Sequence, residues 1–425
     1  MRSDELTTNE SVTNPPGICH ACCRDVGFVA AAFLVLAVVL VNLMGGALGI
    51  WELPGESALE GREYTDIQPV LNLHSVKNGR FQSKMDRLLS DRVVARDEVL
   101  LANAAFQRHV IELARLPLGY DIYPTFFQSE RVYCGQYDAV YPFPAKQRQF
   151  SDGYWHAIGE SLGVLAANAD ERINWRLALV ERADNTVSAP THDLVSEPAD
   201  YYYIEDELSR IVPESFELVD LHVGDAREYA QQYFRTDHHM QVQGSVIAYE
   251  KVLKSLGRTP ERFDDFFAAF DGQYFGSNAR VGLCDLAWDV VYDVAYDRKN
   301  LKITADGKKG NYHTVDLLFS KDGKPYQKKS RFSNIGFHRK HFKLIEYENL
   351  DLPESSGSLL LIGDSYLDNC GRFYAKSYRH VYELDPRYYE GSLKEFIAAH
   401  EIDDAVIYGS LETLDTDAAQ NCLRS

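Results

Sequence analysis

Basic residues are scarce in this 425-residue chain: 44 lysines and arginines stand against 63 aspartates and glutamates, a net charge of -19. A surface for nucleic acid needs a basic footprint, and no long Lys/Arg block offsets the acidity, so nucleic acid is excluded as a partner. The negative charge reads instead as a solvated coat. Charge of either sign is missing altogether from Val26 to Trp51. The run AAAFLVLAVVLVNLMGGALGI inside that stretch exceeds the roughly 20 apolar residues a helix needs to cross a bilayer. A cleaved signal peptide carries a shorter apolar region of about 7 to 15 residues. Residues 27–50 are therefore expected to be an uncleaved transmembrane anchor, although Ala47-Leu48-Gly49 offers a small-residue cleavage site. Arg2 and Arg24 precede the run and the next basic residue is Arg62. That bias puts residues 1–26 in the cytoplasm as a polar tail, and everything beyond Trp51 outside the cell membrane.

Cysteine is sparse as well, with seven residues. Cys19, Cys22 and Cys23, in CHACC, fall on the cytoplasmic side, where idle thiols are expected ahead of acylation or metal binding. Cys134, Cys284, Cys370 and Cys422 fall outside, in a compartment that permits disulfides, and all three pairings of the four stay open. No internal repeat is visible. With 45% hydrophobic and 25% charged residues, the chain is globular and long enough for two or three domains with cores.

Residues 51–150 read as a juxtamembrane helix and loop region. A helix is expected over Asp97–Leu116, followed by YDIYPTFF and YPFPAKQ, whose tyrosines and prolines suggest a loop or edge structure. From residue 151 to 425 the rhythm changes. WRLALVER (175–182), SFELVDL (215–221), SLLLIGD (358–364), HVYEL (380–384) and DAVIYGS (404–410) are apolar runs of strand length. Val242, Val246, Ile247, Tyr249, Val252, Leu253 and Leu256 recur at helical spacing, with Gly257 as the stop signal. SLKEFIAAH (392–400) is a second helix, lying between two of the strands. Strand, helix, strand is the unit of a parallel sheet with crossover helices, so the fold class is α/β. Residues 258–357 interrupt it with aromatic and β-branched alternation and basic hairpin-like pieces such as ITADGKKGNYHTVDL and KDGKPYQKKSRF. They are expected to form a β-rich insertion between the two halves of the sheet.

Two short segments carry chemistry. FRTDHHM, Phe234 to Met240, places Asp237 two residues before His239 at the entrance of the helix that starts near Val242. A carboxylate so placed can fix an imidazole tautomer and make the ring a base, or it can be a polar helix-entry turn. A zinc site would need a clear third and fourth ligand, which the adjacent histidines lack. LLLIGDSYLDN ends a buried strand with Gly363, Asp364 and Ser365, where open α/β sheets bind ligands. A serine hydroxyl becomes a nucleophile only when an oriented base takes its proton, and Asp237 and His239 supply that base. Asp364, Asp368 and Asn369 flank the turn, as capping groups or substrate contacts alike. Arg235 and Tyr233 flank the other segment, solvated or meeting an anionic or sugar ligand.

These segments, together with RVYCGQYDAVY, LVDL, Gly244, DGQYFGS and LDPRYYEGSLKEFIAAHEIDDAVI, resemble the SGNH hydrolase-like superfamily over roughly residues 130 to 410. The resemblance is to its permuted branch, which includes the alginate O-acetyltransferases and the bacterial proteins named for a DHHW motif. It implies a flavodoxin-like parallel sheet, Ser365 as nucleophile, His239 as base, Asp237 as its partner and His238 as a spacer. It also implies acyl-ester chemistry on extracellular glycans of the cell envelope, with no cofactor and no metal. Met240 stands where the motif has tryptophan, an apolar exchange. GFHRKH (336–341) stands where the family has Gly-Gly-Asn, which puts His338 near the expected oxyanion-binding asparagine, beside Gly363 as a further candidate. Three functions are carried forward. One is an O-acyltransferase, an O-acetyltransferase above all, fed by a membrane-bound acyl donor protein and modifying a cell-surface polysaccharide. The second is a carbohydrate acetyl esterase using the same residues with water as acceptor. The third is a non-catalytic glycan-binding or scaffold protein on the same frame.

Overall fold

The computed structural model describes residues 96–269, 273–297, 299–309 and 342–425, residues 80–91, and isolated positions before them: 29, 30, 33, 37, 40, 41, 56, 57, 59, 62 and 63. The anchor expected over residues 27–50 falls largely outside the described residues, as do Cys19, Cys22, Cys23, KDGKPYQKKSRF and His338. Val29, Ala30, Phe33, Ala37, Leu40 and Val41 are described, and all are helical. Among the described residues no helix is long and apolar enough to cross a membrane. The chain divides into two compact units, Met1–Ser57 with Arg62–Val99, and Ala58–Gly61 with Leu100–Ser425. The candidate site lies wholly in the second.

That second unit is built on an eight-stranded mixed sheet. In chain order its strands are β1 (Asn174–Leu179), β2 (Phe216–Leu218), β3 (Leu301–Ala305), β4 (Lys308–Lys309), β5 (Leu344–Asn349), β6 (Ser358–Gly363), β7 (His380–Leu384) and β8 (Asp404–Gly409), and in space they run β4-β3-β5-β7-β6-β8-β1-β2. The five strands expected from the apolar runs are the parallel ones, β7-β6-β8-β1-β2. All six residues of β6 and of β8 are buried. A parallel strand covered on both faces needs such an unbroken apolar run. Alternation divides the core in two: Leu359 and Leu361 of β6 face one cluster, Leu360 and Ile362 the other.

The helices fill both faces. Asp152–Asn168 (α1), Tyr201–Ile211 (α2) and Leu393–Ala399 (α5) bury Ile158, Leu162, Leu208 and Phe396 in one cluster. Val242–Ser255 (α4) buries Val246, Tyr249, Val252 and Leu253 in the other, and Ala226–Gln232 (α3) precedes it. Their starts are sequence-encoded: Ser151, Asp200, Asp225 and Ser392 accept hydrogen bonds from backbone N–H groups of the first turn. Gly257 ends the helical stretch at φ 71°, as its position after the periodic run predicts.

The β-rich insertion is not a separate body between two half-sheets. Within it β3, β4 and β5 extend the main sheet in antiparallel fashion beyond β7, and Phe266–Ala268 pairs with Tyr292–Val294 in a separate antiparallel two-stranded sheet. Asp306 and Gly307, both at positive φ, make the tight β3–β4 turn that Asp-Gly favours. The sheet is therefore mixed rather than purely parallel. YDIYPTFF and the segment after it give a three-stranded antiparallel sheet, Ile122–Pro124, Arg131–Cys134 and Ala139–Pro142. The expected Asp97–Leu116 helix spans Arg96–Arg115. Cys134, Cys284, Cys370 and Cys422 are buried free thiols, so none of the three open pairings forms.

Candidate active site

FRTDHHM is a loop pinched at its base between α3 and α4. Tyr233 pairs with Met240, Phe234 N–H donates to His239 O at 3.1 Å, and Gln241 N–H donates to Gln232 O at 2.8 Å. Gly244 makes the closure possible, since a Cβ there would stand 2.4 Å from Gln232 O. The loop is braced from below by Asp289, which is fully buried. Its carboxylate accepts from Arg235 N–H at 2.8 Å, Thr236 N–H at 2.9 Å and the Thr236 hydroxyl. Burial pushes the Asp289 carboxyl up to about 6.

Within that loop Asp237 and His239 are both 4% exposed. Asp237 Oδ1 accepts from His239 Nδ1 at 2.6 Å and from the His239 backbone N–H at 3.1 Å. Its Oδ2 accepts from Tyr274 Oη at 3.0 Å and Ser277 N–H at 2.6 Å. A carboxylate held by four donors cannot swing, and Nδ1 facing it carries the proton, which leaves the Nε2 lone pair free to accept. Nε2 lies 2.8 Å from Ser365 Oγ.

Ser365 sits just past the end of β6, at the carboxyl edge of the parallel strands. A Cβ at Gly363 would stand 2.1 Å from Tyr408 O, so only glycine lets β6 pass this close to β8 before turning. Asp364 then locks the turn. Its Oδ2 accepts from Ser410 N–H at 2.9 Å and Ser410 Oγ at 2.6 Å, its Oδ1 from Tyr366 N–H at 3.0 Å. Burial pushes its carboxyl up, and these donors pull it back. Gly363 and Asp364 thus shape the turn that presents Ser365. Chemically, the arrangement can move a proton from a hydroxyl to an imidazole whose far side is steadied by a buried carboxylate.

The fold is similar to that of a DHHW family protein. The structure of that protein, from Eubacterium siraeum, superposes with a TM-score of 0.53 at 14% identity, covering 71% of this chain and 97% of that one. Bacillus cereus PatB1 superposes with a TM-score of 0.50 at 17% identity, over 66% of this chain and 96% of that one. PatB1 carrying a sulfonyl adduct gives the same TM-score and identity, over 66% and 97%. No protein-family model matches the chain, and no curated protein matches it. The resemblance drawn from short motifs thus extends to the fold.

Met240, which stands where the DHHW pattern has tryptophan, is buried. It is 3% exposed, with the Tyr408 hydroxyl 3.7 Å from its sulfur. His238, the spacer, turns its ring to Ser277 Oγ at 2.8 Å, and its backbone carbonyl accepts from Tyr366 Oη at 2.7 Å. Asp237, His238 and His239 each present a ligand atom within 4.8 Å of the others, a spacing a metal ion could bridge. Both ring nitrogens of His239 and Nδ1 of His238 already hold the partners described above.

Tyr233 does not face a ligand. It is fully buried, stacked on Tyr229 with ring centroids 4.2 Å apart, because its alternation in the loop base points it into the core. Arg235 is spent internally, on Asp138 Oδ2 at 3.0 Å and on the Trp288 carbonyl. Asn369 closes the short 3-10 turn Leu367–Asn369 after Ser365, with its side chain outside the described residues. Sequence reasoning passed over Tyr274, Ser277 and Asp289 as site residues. The first two lie in the DGQYFGS block, residues 271–277, so that block was the available signal. Nothing in the local spacing marks Asp289.

Proposed function

We propose that this chain is a membrane-anchored, extracytoplasmic O-acyltransferase, an O-acetyltransferase above all, that modifies a cell-surface polysaccharide through Ser365, His239 and Asp237. The observation that carries the reading is the unbroken hydrogen-bonded chain from Asp237 through His239 to Ser365, seated at the carboxyl edge of a parallel sheet. In the first step Ser365 Oγ attacks the carbonyl carbon of an acyl donor as its proton passes to His239 Nε2. The C–O bond to the donor then breaks, and its leaving oxygen takes the proton. In the second step a sugar hydroxyl gives its proton to Nε2 and attacks the acyl-serine, and Ser365 recovers its proton as it leaves. The uncharged run from Val26 to Trp51 and the arginines before it support the anchor, which would hold the site beside a membrane-bound acyl donor protein.

Transfer is tested with the purified full-length chain, an activated acetyl ester and a cell-surface oligosaccharide. Acetylated sugar should form, and ester turnover should rise with acceptor. Equal turnover with and without acceptor, and no acetylated sugar, would replace transferase by esterase.

Gly276 gives a further check on the site. It packs so closely under the acid that a Cβ would stand 2.4 Å from Asp237 Cβ and 2.6 Å from Oδ2. Gly276→Ala should displace the carboxylate and lower kcat/KM for an activated ester about a hundredfold, the scale expected of an ångström-sized misplacement. Wild-type kinetics in a folded Gly276→Ala chain would show that the orientation of Asp237 is unimportant.

A further inference from the structure

Asp289 and Thr236 meet beneath the catalytic loop, and neither is exposed to solvent. A buried carboxylate lowers stability unless donors take the place of water. Among the described residues, the donors that Asp289 finds all belong to the two residues before Asp237. They are the N–H groups of Arg235 and Thr236, the Thr236 hydroxyl, and the Arg235 guanidinium, whose Nε stands 3.7 Å away. The Thr236 hydroxyl works in two directions. It donates to Asp289 and accepts from Gly276 N–H at 3.0 Å, while the Thr236 carbonyl accepts from Ala279 N–H at 3.1 Å. In sequence Gly276 lies between Tyr274 and Ser277, the residues whose hydroxyl and N–H hold Asp237 Oδ2. Tyr274 returns to Asp289 through two backbone hydrogen bonds, of 2.9 and 3.0 Å. The contacts close a ring that runs from Asp289 to Thr236, from Thr236 to Gly276, from the segment around Gly276 to Asp237, and from Tyr274 back to Asp289.

We propose that Thr236 and Asp289 are a positioning pair for the catalytic acid, and that the Ser365 site is fully active only while Asp289 is ionised. The inference rests on the reading of Asp237, His239 and Ser365 as the catalytic residues. Its basis is the match of donors to acceptors. Four donor groups converge on Asp289, and an ionised carboxylate, with two oxygens and no proton, can accept from them all. A proton on either oxygen adds a donor where there is none to receive it. On Oδ1 it would face the Arg235 N–H. On Oδ2 it would turn the Thr236 hydroxyl, whose own proton would lose its acceptor. Thr236 would shift, Gly276 and Ser277 would follow, and the carboxylate of Asp237 would leave the position that orients His239.

The surroundings set the pH at which this happens. Burial pushes the Asp289 carboxyl up to about 6, against the pull of Thr236 and Arg235. The other titratable groups that act on it are Tyr141, on the strand Ala139–Pro142, and Tyr274, and burial pushes both phenols up, so they stay neutral. Asp289 is therefore ionised above about 6 and neutral below it. The activity that depends on the pair is present on the alkaline side and is lost as pH falls through that value.

The test measures turnover of 4-nitrophenyl acetate by the full-length chain, with Ser365→Ala turnover subtracted. In alkaline buffer Thr236→Val, which keeps the shape and loses the hydroxyl, and Asp289→Asn should each lower kcat about a hundredfold with KM little changed. Thr236→Ser, which restores the hydroxyl, should recover all but about threefold of that loss, and the Thr236→Val/Asp289→Asn double variant should fall no further than the worse single. On the acid side the wild-type rate should fall with two protons, one for the base and one for Asp289, and that of Asp289→Asn with one. A parallel proton magnetic resonance spectrum follows the downfield signal of His239 Nδ1–H, identified by its absence from His239→Ala. The signal should persist in Thr236→Ser and shift or weaken in Thr236→Val, which covers the case in which Asp289→Asn fails to fold. Wild-type kcat in folded Thr236→Val, an equal loss in Thr236→Ser and Thr236→Val, or a two-proton fall that survives in Asp289→Asn overturns the inference while leaving the nucleophile intact. No Ser365-dependent turnover in wild type, with the Nδ1–H signal present and responding as described, would instead overturn the functional reading beneath it.

Discussion

Ser365→Ala and His239→Ala should each lower turnover of an activated acetyl ester by about 10⁴- to 10⁶-fold, and the double variant should fall no further than the worse single. The non-additivity follows from the 2.8 Å contact between Nε2 and Oγ. A hydroxyl without its base and a base without its hydroxyl are equally idle, so removing the second group takes away nothing that remains. Both side chains project from loops rather than from the apolar core of the sheet, so melting temperatures should stay close to wild type while kcat collapses. Parallel steady-state kinetics and thermal melts on the three variants decide it. Single variants retaining a tenth or more of wild-type turnover would mean that another group does the chemistry.

Asp237→Asn should cost about 10⁴-fold in kcat with the fold intact. The carboxylate accepts from His239 Nδ1, from the His239 and Ser277 backbone N–H groups and from Tyr274 Oη. An amide has only one oxygen to offer them. Whichever way it turns, its NH₂ faces donors. Turned toward the ring, it favours the tautomer with the proton on Nε2, which leaves no lone pair for the Ser365 proton. Turned the other way, it opposes Tyr274 and Ser277 and loosens the loop. The pH-rate profile separates the two outcomes, because a wrong tautomer depresses the rate at every pH at which the ring is neutral. A loss under tenfold would show that the ring is oriented without the carboxylate.

The parallel half of the fold was legible because buried parallel strands are written as unbroken apolar runs. SLLLIG and DAVIYG could be little else, and each became a fully buried strand. The antiparallel half was not. LIEYEN and LKITA show β-like composition and alternation, but nothing local says that β5 pairs with β7 on one side and β3 on the other. Register across such distances is fixed by tertiary packing, so the insertion read as a separate piece. At the site the division is similar. Asp237, His239 and Ser365 were legible because a base, its orienting group and a hydroxyl at a strand end form a pattern of chemical roles. Tyr233 was misplaced because a tyrosine beside a polar motif looks available for ligand, while its partner in the stack, Tyr229, is visible only once α3 is folded against the loop. Asp289 and Tyr274 brace the motif from 37 residues or more away.

The central claim is that the imidazole of His239 activates the hydroxyl of Ser365, and the most direct measurement is covalent labelling of the full-length chain by a serine-directed fluorophosphonate. The account predicts one adduct, on Ser365, present in wild type and absent from both Ser365→Ala and folded His239→Ala. Labelling that survives Ser365→Ala, or that proceeds at the wild-type rate in His239→Ala, would contradict it.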